Sequence, residues 1–437
     1  MKRTALIVSG LILAFLSAGA QEFEKAADAV RNMKVGWNLG NTLDCHSAST
    51  TNMWIEKWTE CKPSDYETAW GQPAVTPELI KMFKDAGFNS IRVPVTWYPH
   101  MGLVTDGLNW DKENNPIADT ADTVWLKRVH EVVDYVVSQG MYCILNVHHD
   151  TGESDVAWVV ADRNVYDANK DKFMSLWTQI ANEFKDYDEH LLFEGYNEML
   201  DRLGSWVYAS SKATSGYNSS IASSAYAAVN GFAQSFVDAV RSTGGNNISR
   251  NLIVSDYCAS NCIGTGHAKD PFKKMKMPTD TLDGHLILEV HSYILEMSNL
   301  ANSKNDADGL FNDLYSYFIS KGVPAIVGEW GTLNTSGNDF TDSGRYADFK
   351  SFCRYFVEQA KKKDIATLYW MGLSEGADRS VPKWTLEDLK DMIIKGYYGD
   401  GGYDKVAPVT REPIQYHSDY WLNNRIYIRN GRKFYSK

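Results

Sequence analysis

Leu191-Leu192-Phe193-Glu194-Gly195-Tyr196-Asn197-Glu198 is an apolar run of strand length that stops at an amide and a carboxylate. Runs of the same kind recur at Val35–Leu39, Ser90–Val95, Tyr142–Val147, Leu252–Asp256, Leu286–Val290, Ala325–Gly328 and Ala366–Tyr369, which makes eight. Helical patterns separate them. At Thr76-Pro77-Glu78 a capping residue precedes a proline at the first helical position. Leu79, Met82, Phe83 and Ala86 then share one face before Gly87 stops the turn. Val124–Val137, Phe173–Phe184, Ala222–Val240, Leu310–Ile319, Tyr346–Ala360 and the shorter Leu386–Ile394 read the same way, while the fifth and sixth runs are joined by a stretch with no clear helix. Strands alternating with helices predict a parallel sheet with helical cover. Eight units in this length predict an α/β fold of the (β/α)8 TIM-barrel type with enlarged rim loops, since the minimal barrel needs about 250 residues. A doubly wound open sheet is the alternative, but no glycine-rich fingerprint follows the first run.

Lys2 and Arg3, the apolar run Ala5–Leu16 and Ala18-Gly19-Ala20 have the order of a cleavable secretory signal, so residues 1–20 are set apart from the fold. The apolar stretch is shorter than the roughly 20 residues that span a bilayer. An exported, non-membrane protein is expected, and periplasm, cell surface and medium all fit. Residues 21–404 form the expected catalytic domain, and 405–437 a C-terminal extension. Within the extension, Ile426–Tyr435 alternates around Asn430-Gly431, a hairpin signal that suits a strand pair packed on the barrel or the remnant of a tail. A monomer is expected. Cys45/Cys61 and Cys258/Cys262 fall in loops where a disulfide could staple an insertion, and Cys143 and Cys353 fall in apolar segments that suit buried thiols. The net charge of −11 argues against nucleic acid as a partner. With 14 Trp and 24 Tyr, the chain has aromatic rings beyond the ordinary needs of a core, and sugar faces suit exposed rings.

Active sites of such barrels gather at the C-terminal ends of the strands. The polar residues there are Asn38 and Asn41 after the first run, Arg92 in the second, and His148 and His149 after the third. Asn197 and Glu198 end the fourth, His291 and Tyr293 the sixth, Glu329 the seventh, and Trp370 the eighth. A single glutamate after a strand is usually a solvated loop residue. Glu198 and Glu329 differ because each follows a strongly apolar run, and two strands lie between theirs, so they can face each other across the mouth. Opposed carboxylates point to glycosidic bond cleavage, with retention when they are close and inversion when a water fits between them. If Arg92 and Tyr293 reach Glu329, it stays charged and Glu198 keeps its proton. His148, His149, Asp150 and His291 raise a metal reading. Adjacent histidines on a strand point to opposite faces, so only one of the pair is expected in the mouth, and orienting the acid or the substrate hydroxyls is the favoured role. No metal or other cofactor is expected.

Gly36-Trp37-Asn38-Leu39-Gly40-Asn41-Thr42-Leu43, Ile91-Arg92-Val93-Pro94-Val95-Thr96-Trp97, Leu145-Asn146-Val147-His148-His149-Asp150, Phe193-Glu194-Gly195-Tyr196-Asn197-Glu198, Val290-His291-Ser292-Tyr293, Val327-Gly328-Glu329-Trp330-Gly331 and Tyr369-Trp370 together resemble the cellulase family of glycoside hydrolases, family 5 of clan A. The matches run in the family's order over about residues 25 to 400. The resemblance implies a retaining double displacement, with Glu198 as acid/base and Glu329 as nucleophile. It further implies that Asn197 binds the hydroxyl beside the reacting carbon and that Arg92 and Tyr293 support the nucleophile. His148 and His291 would line the cleavage subsite, and Trp370 would form its stacking floor. Met199 stands where the family often has proline, which bears on the leaving-group loop. Trp54, Trp58, Trp70, Trp97, Trp158, Trp206 and Trp384 lie in or near expected rim loops and are candidates for stacking on further sugars. The expected activity is that of an endo-β-1,4-glucanase acting on a plant cell-wall polysaccharide or oligosaccharide, with mannan, xyloglucan, xylan and mixed-linkage glucan as alternative substrates. Two other classes remain: a noncatalytic carbohydrate-binding barrel, and a metallohydrolase that a chelator would silence.

Overall fold

The computed structural model describes residues 23–49, 52, 54–59, 63–101, 121–152, 154–201, 217–294, 299–331, 343–370 and 376–404, together with the backbone of 426–429 and 432–435. The expected signal segment, Cys61, Trp206 and most of the C-terminal extension lie outside these residues.

Eight parallel strands close into a barrel in sequence order: β1 (Val35–Asn38), β2 (Ser90–Val93), β3 (Tyr142–Asn146), β4 (Leu191–Glu194), β5 (Leu252–Ser255), β6 (Leu286–Ser292), β7 (Ala325–Trp330) and β8 (Ala366–Tyr369). The seam closes where Val35, Gly36 and Trp37 of β1 pair with Thr367, Leu368 and Tyr369 of β8. All eight apolar runs are therefore strands, and the open-sheet alternative is excluded. Gly36 is required at this seam. A Cβ there would fall 2.3 Å from Ser90 Oγ and 2.9 Å from Leu368 Cγ, inside contact distance on both neighbours.

The helices begin where capping chemistry allows. Thr76 accepts a hydrogen bond from Leu79 N ahead of Pro77–Ala86, and Gly87 ends that helix in the left-handed region at φ 109°. Asp162 caps Arg163–Glu183 through Asn164 N and Val165 N, so this helix starts ten residues before the apolar Phe173 that marked it in the sequence. Its first turns are polar, and an apolar pattern cannot report them. Between β5 and β6 there are only the short segments Tyr257–Ala259, Gly266–Lys269 and Asp270–Lys274.

Alternation along the strands sorts two cores. Outward residues such as Trp37, Ile91, Leu145, Phe193 and Val327 pack under the helices in one large cluster. Inward residues Ile144, Leu192, Ile253, Ile287, Ile326 and Leu368 form a second, completed by Ala26, Ala29, Val30 and Met33 of the first helix, Ala26–Met33. That helix plugs the N-terminal end of the barrel. Ala26 N donates to Gly284 O just before β6, and Ser90 Oγ donates to Met33 O at the start of β2. Ile426–Arg429 and Arg432–Tyr435 pair antiparallel.

The cysteines correct one expectation. Cys258 and Cys262 are both buried thiols, so no disulfide staples their loop. It is fastened by hydrogen bonds, from Cys258 N to Met199 O and from Ser260 N to Asp256 Oδ1. Cys45 is also a buried thiol, as are Cys143 and Cys353.

The plug tests how far the barrel's base is coupled to its mouth. Met33→Ala removes a fully buried side chain at the closed end and should lower unfolding stability by about 2–5 kcal/mol. Denaturant titration should show an earlier midpoint, with the specific activity of the folded fraction unchanged.

Candidate active site

Above the aliphatic floor the barrel interior turns polar around one side chain. Arg92, on β2 and fully buried, uses its guanidinium as a five-way anchor. Nε and Nη2 hold Glu194 in a bidentate pair, each at 2.6 Å. Nη2 also donates to Asn197 Oδ1 at 2.8 Å, and Nη1 donates to Asn38 Oδ1 at 3.1 Å and to Glu329 Oε1 at 2.6 Å. A planar, permanently charged fork can fix several acceptors at once, which a lysine cannot. Asn38 is locked from its other end by donating to Gly328 O, Leu368 O and Tyr369 O, which ties the anchor to β7 and β8.

Glu329 receives a second hydrogen bond, from Tyr293 Oη at 2.8 Å on Oε2. Burial alone would raise its pKa, but His291, Arg92 and the Tyr293 hydrogen bond outweigh it and hold the carboxyl below its ordinary value. Glu198 is pushed the other way, by burial first and by the Glu329 charge in addition, against the opposition of His291. One carboxylate oxygen of each glutamate and one ring nitrogen of His291 all lie within 4.8 Å of one another. The site therefore holds an anion-favouring and a proton-favouring carboxyl face to face.

His291 bridges them. Its Nδ1 lies 2.7 Å from Glu198 Oε1 and 3.4 Å from Glu329 Oε2. Burial favours the neutral ring, but the Glu329 charge, the hydrogen bond to Glu198 and the nearby Glu289 carboxylate prevail and raise the imidazolium pKa to about 10. His148 behaves oppositely. Burial, with His149 and Arg92 close by, keeps it neutral. Its Nδ1 faces the Asn146 amide at 3.0 Å, an assignment that makes Nδ1 the acceptor and leaves the proton on Nε2, 3.9 Å from Glu329 Oε1. Because Asn197 Oδ1 is taken by Arg92, the amide NH2 of Asn197 is left to donate to a bound hydroxyl. Trp370 stacks parallel to His148 with ring centroids 5.8 Å apart, and it lies so close over Gly40 that a Cβ there would meet the ring at 2.5 Å.

Several residues stand elsewhere than expected. Trp97 is fully buried, and its Nε1 donates to Asn146 O, so it braces β3 and cannot stack on substrate. Trp158 is buried as well, with Nε1 on Asp150 Oδ1. Trp384 packs beside Trp37, Phe83 and Phe88 in the outer core rather than at the rim. Trp70 is half-buried beside His46 and His149, whereas Trp54 and Trp58 are 42% and 58% exposed. Asn41 adopts φ 60°, and its backbone N–H caps Asp44 Oδ2. Asp150 accepts from Trp97 N, Tyr98 N and Trp158 Nε1 and is no ligand. Both His148 and His149 border the cleft, against the alternation argument, because β3 ends at Asn146, two residues before the pair. His149 instead stacks on His46 at 4.5 Å. These two rings, with Thr151, Asn197, Glu198 and Leu200, line a cavity of about 500 Å³ beside Glu198, within the usual range of ligand pockets.

Glu194 and Glu289, both fully buried, are functional-site residues that the sequence reading did not select. Their signal was available. Glu289 lies two residues before the inward-facing His291, and Glu194 two after the inward-facing Leu192, so strand alternation turns both into the barrel. His46 and Arg379, whose Nη1 donates to Gly40 O, sit in loops and carried no such signal.

Among the described residues, two groups could hold a metal by spacing: Asp44 with His148 and His149, and Glu198 with His291 and Glu329. In the first, the Asp44 oxygens already accept from Asn41 N and Thr42 N. In the second, Arg92, Tyr293 and His291 occupy the carboxylates, so each set is bound within the protein.

The cellulase (glycosyl hydrolase family 5) family model matches residues 52–375. Endoglucanase A of Clostridium longisporum is 34% identical over 425 residues, spanning 90% of this chain and 72% of its own length. A broad-specificity endoglucanase structure of subfamily 4 of that family, from an uncultured bacterium, superposes with a TM-score of 0.76 at 47% identity over 87% of this chain and 97% of its own. A mutant family 5 enzyme from Prevotella bryantii in complex with a xyloglucan tetradecasaccharide gives 0.71 at 38% identity, over 87% of this chain and all of its own.

Removing the anchor exposes what it compensates. Arg92→Leu leaves Glu194 and Glu329 without their buried cation, and removing one partner of a buried pair costs about 3–5 kcal/mol. Urea unfolding should show that loss, and hydrolysis should fall with it.

Proposed function

The chain belongs to the cellulase family, glycosyl hydrolase family 5, and we propose that within it this glycoside hydrolase is a secreted, retaining endo-β-1,4-glucanase. The observation that carries the mechanism is the pair of carboxylate oxygens within 4.8 Å under opposite protonation bias. Retaining enzymes place the two carboxyl groups roughly 5 to 5.5 Å apart, too close for an intervening water.

In the first step, a Glu329 oxygen attacks the anomeric carbon, forming a glycosyl ester as the bond to the leaving oxygen breaks. The proton shared by Glu198 and His291 passes to that oxygen through Glu198. In the second, Glu198 takes a proton from water, whose oxygen displaces Glu329 and restores its carboxylate. Arg92 and Tyr293 keep Glu329 ionised for attack, and the free Asn197 amide and His148 Nε2–H face the sugar hydroxyls. Trp370 offers a flat face for the ring. No described helix is long and apolar enough to cross a membrane, and the proposal of export rests on the signal pattern of residues 1–20.

Xyloglucan is a second substrate reading, supported by the cavity beside Glu198 and by the xyloglucan named for the Prevotella bryantii enzyme. Product analysis on soluble β-glucans, glucomannan and xyloglucan separates the two.

Glu329→Gln and Glu198→Gln should each reduce hydrolysis by orders of magnitude while melting like the native protein; full polysaccharide activity in either would overturn the roles. Proton NMR of the earliest products should show the β-anomer first, and an initial α-anomer would rule out retention. Azide should restore turnover of an activated aryl glycoside to a Glu198→Ala variant, giving a β-glycosyl azide. Failure of that rescue would remove Glu198 from the acid/base role.

A further inference from the structure

Beneath the two facing glutamates lies a carboxylate that the double displacement does not use. Glu289, on β6, has no solvent exposure. Its Oε1 is 3.4 Å from His291 Nε2 and 3.4 Å from Arg92 Nε, and its Oε2 accepts from Ser255 Oγ at 3.4 Å. Among the described residues, neither Glu289 Oε1 nor His291 Nε2 has a hydrogen-bond partner of good geometry, and the two face each other. A buried carboxylate needs such compensation. The space it occupies exists because residue 328 is glycine: a Cβ there would fall 1.5 Å from Glu289 Oε1.

We infer that Glu289 is a positioning residue of the catalytic acid, acting through His291: its carboxylate, 3.4 Å from Nε2, attracts that edge of the ring so that Nδ1 points at Glu198, and its negative charge keeps a proton on the Glu198–His291 pair. The inference rests on the reading of Glu198 as acid/base. The result is a line of carboxylate, imidazole and carboxylate, with Glu198 open to substrate at one end and Glu289 sealed in the barrel at the other.

The other charged or titratable groups around this line are Arg92 on β2, His148 after β3, Glu194 on β4, Asp256 after β5, Tyr293 after β6 and Glu329 on β7. Arg92 is the fixed cation among them, and it is already bound to Glu194 and Glu329. His148 is held neutral and Asp256 is pushed well above the carboxylate range, both by burial, so neither supplies a charge that could replace Glu289. The sign of the effect follows. Loss of the pair's last proton makes it more negative, and an adjacent anion resists that loss. Taking away the Glu289 charge lets the proton leave at lower pH.

The test is the pH dependence of kcat/KM for Glu289→Gln, which keeps the shape and removes the charge. On soluble β-glucan the alkaline limb should move down by about one pH unit, as expected for deletion of a single nearby charge. On a dinitrophenyl β-cellobioside, whose leaving group departs without protonation, that limb should move far less. An alkaline limb unmoved on β-glucan, or moved equally on both substrates, would overturn the inference. Glu289→Asp, which keeps the charge but withdraws it from Nε2, should give a smaller shift in the same direction, and a shift as large as that of the glutamine variant would count against it.

Should the glutamine variant fail to fold, nitrogen-15 histidine NMR of the native protein decides the question, with His291→Gln to assign the signal. His291 should keep protons on both ring nitrogens at pH 8, and a neutral ring at pH 7 would sink the proposal. A wrong role for Glu198 would appear separately, as failed azide rescue at that position.

Discussion

The guanidinium of Arg92 is the constraint on which the site depends. A permanent charge inside a barrel is tolerable only if acceptors surround it, and here they come from β1, β4 and β7. Because the fork is rigid, meeting its hydrogen bonds also fixes where Asn38, Glu194, Asn197 and Glu329 lie relative to one another. Buried ion pairs are poor sources of net stability compared with apolar packing. The stability of this fold comes from the aliphatic floor and the outer core, and the polar layer is explained by its geometry.

That layer needs room as well as charge. Gly36 lets β1 approach Ser90 and Leu368, Gly328 admits Glu289, and Gly40 lets the Trp370 ring lie flat over the strand end. Three absent side chains thus create the barrel seam, the space beneath the two facing glutamates and the floor of the cleft. The plug helix supplies the remaining condition: it covers the N-terminal end with Val30 and Met33, so the polar groups face water only through the mouth.

The eight strands were legible because parallel strands buried on both faces are nearly continuous apolar runs. Glu198 and Glu329 stood out because a carboxylate directly after such a run has nowhere apolar to hide. Other features turn on side-chain direction beyond a strand end, which spacing does not encode. Trp97 follows β2 as a rim residue would, yet its indole turns inward to Asn146 O. Only one of His148 and His149 was expected at the mouth, by an alternation that no longer applies after Asn146. Cys258 and Cys262 share a loop of the right length for a bridge, but disulfide geometry depends on where the sulfurs point. The helix at Arg163 began earlier than its apolar face because Asp162, a capping residue, sets its start.

The same residue types carry opposite charge states within a few ångströms, and their neighbours decide which. Glu329 is ionised because Arg92, Tyr293 and a charged His291 surround it, whereas Glu198 meets one of those three donors and is biased toward its proton. His291 is cationic among carboxylates, while His46, His148 and the partly exposed His149 are kept neutral by burial and by crowding from one another or from Arg92. Since His291 and Glu198 share a 2.7 Å contact, the proton that the proposed mechanism delivers to the leaving oxygen belongs to the pair rather than to either residue. The acid strength of the site is therefore a property of the whole polar layer, including carboxylates that never touch the sugar.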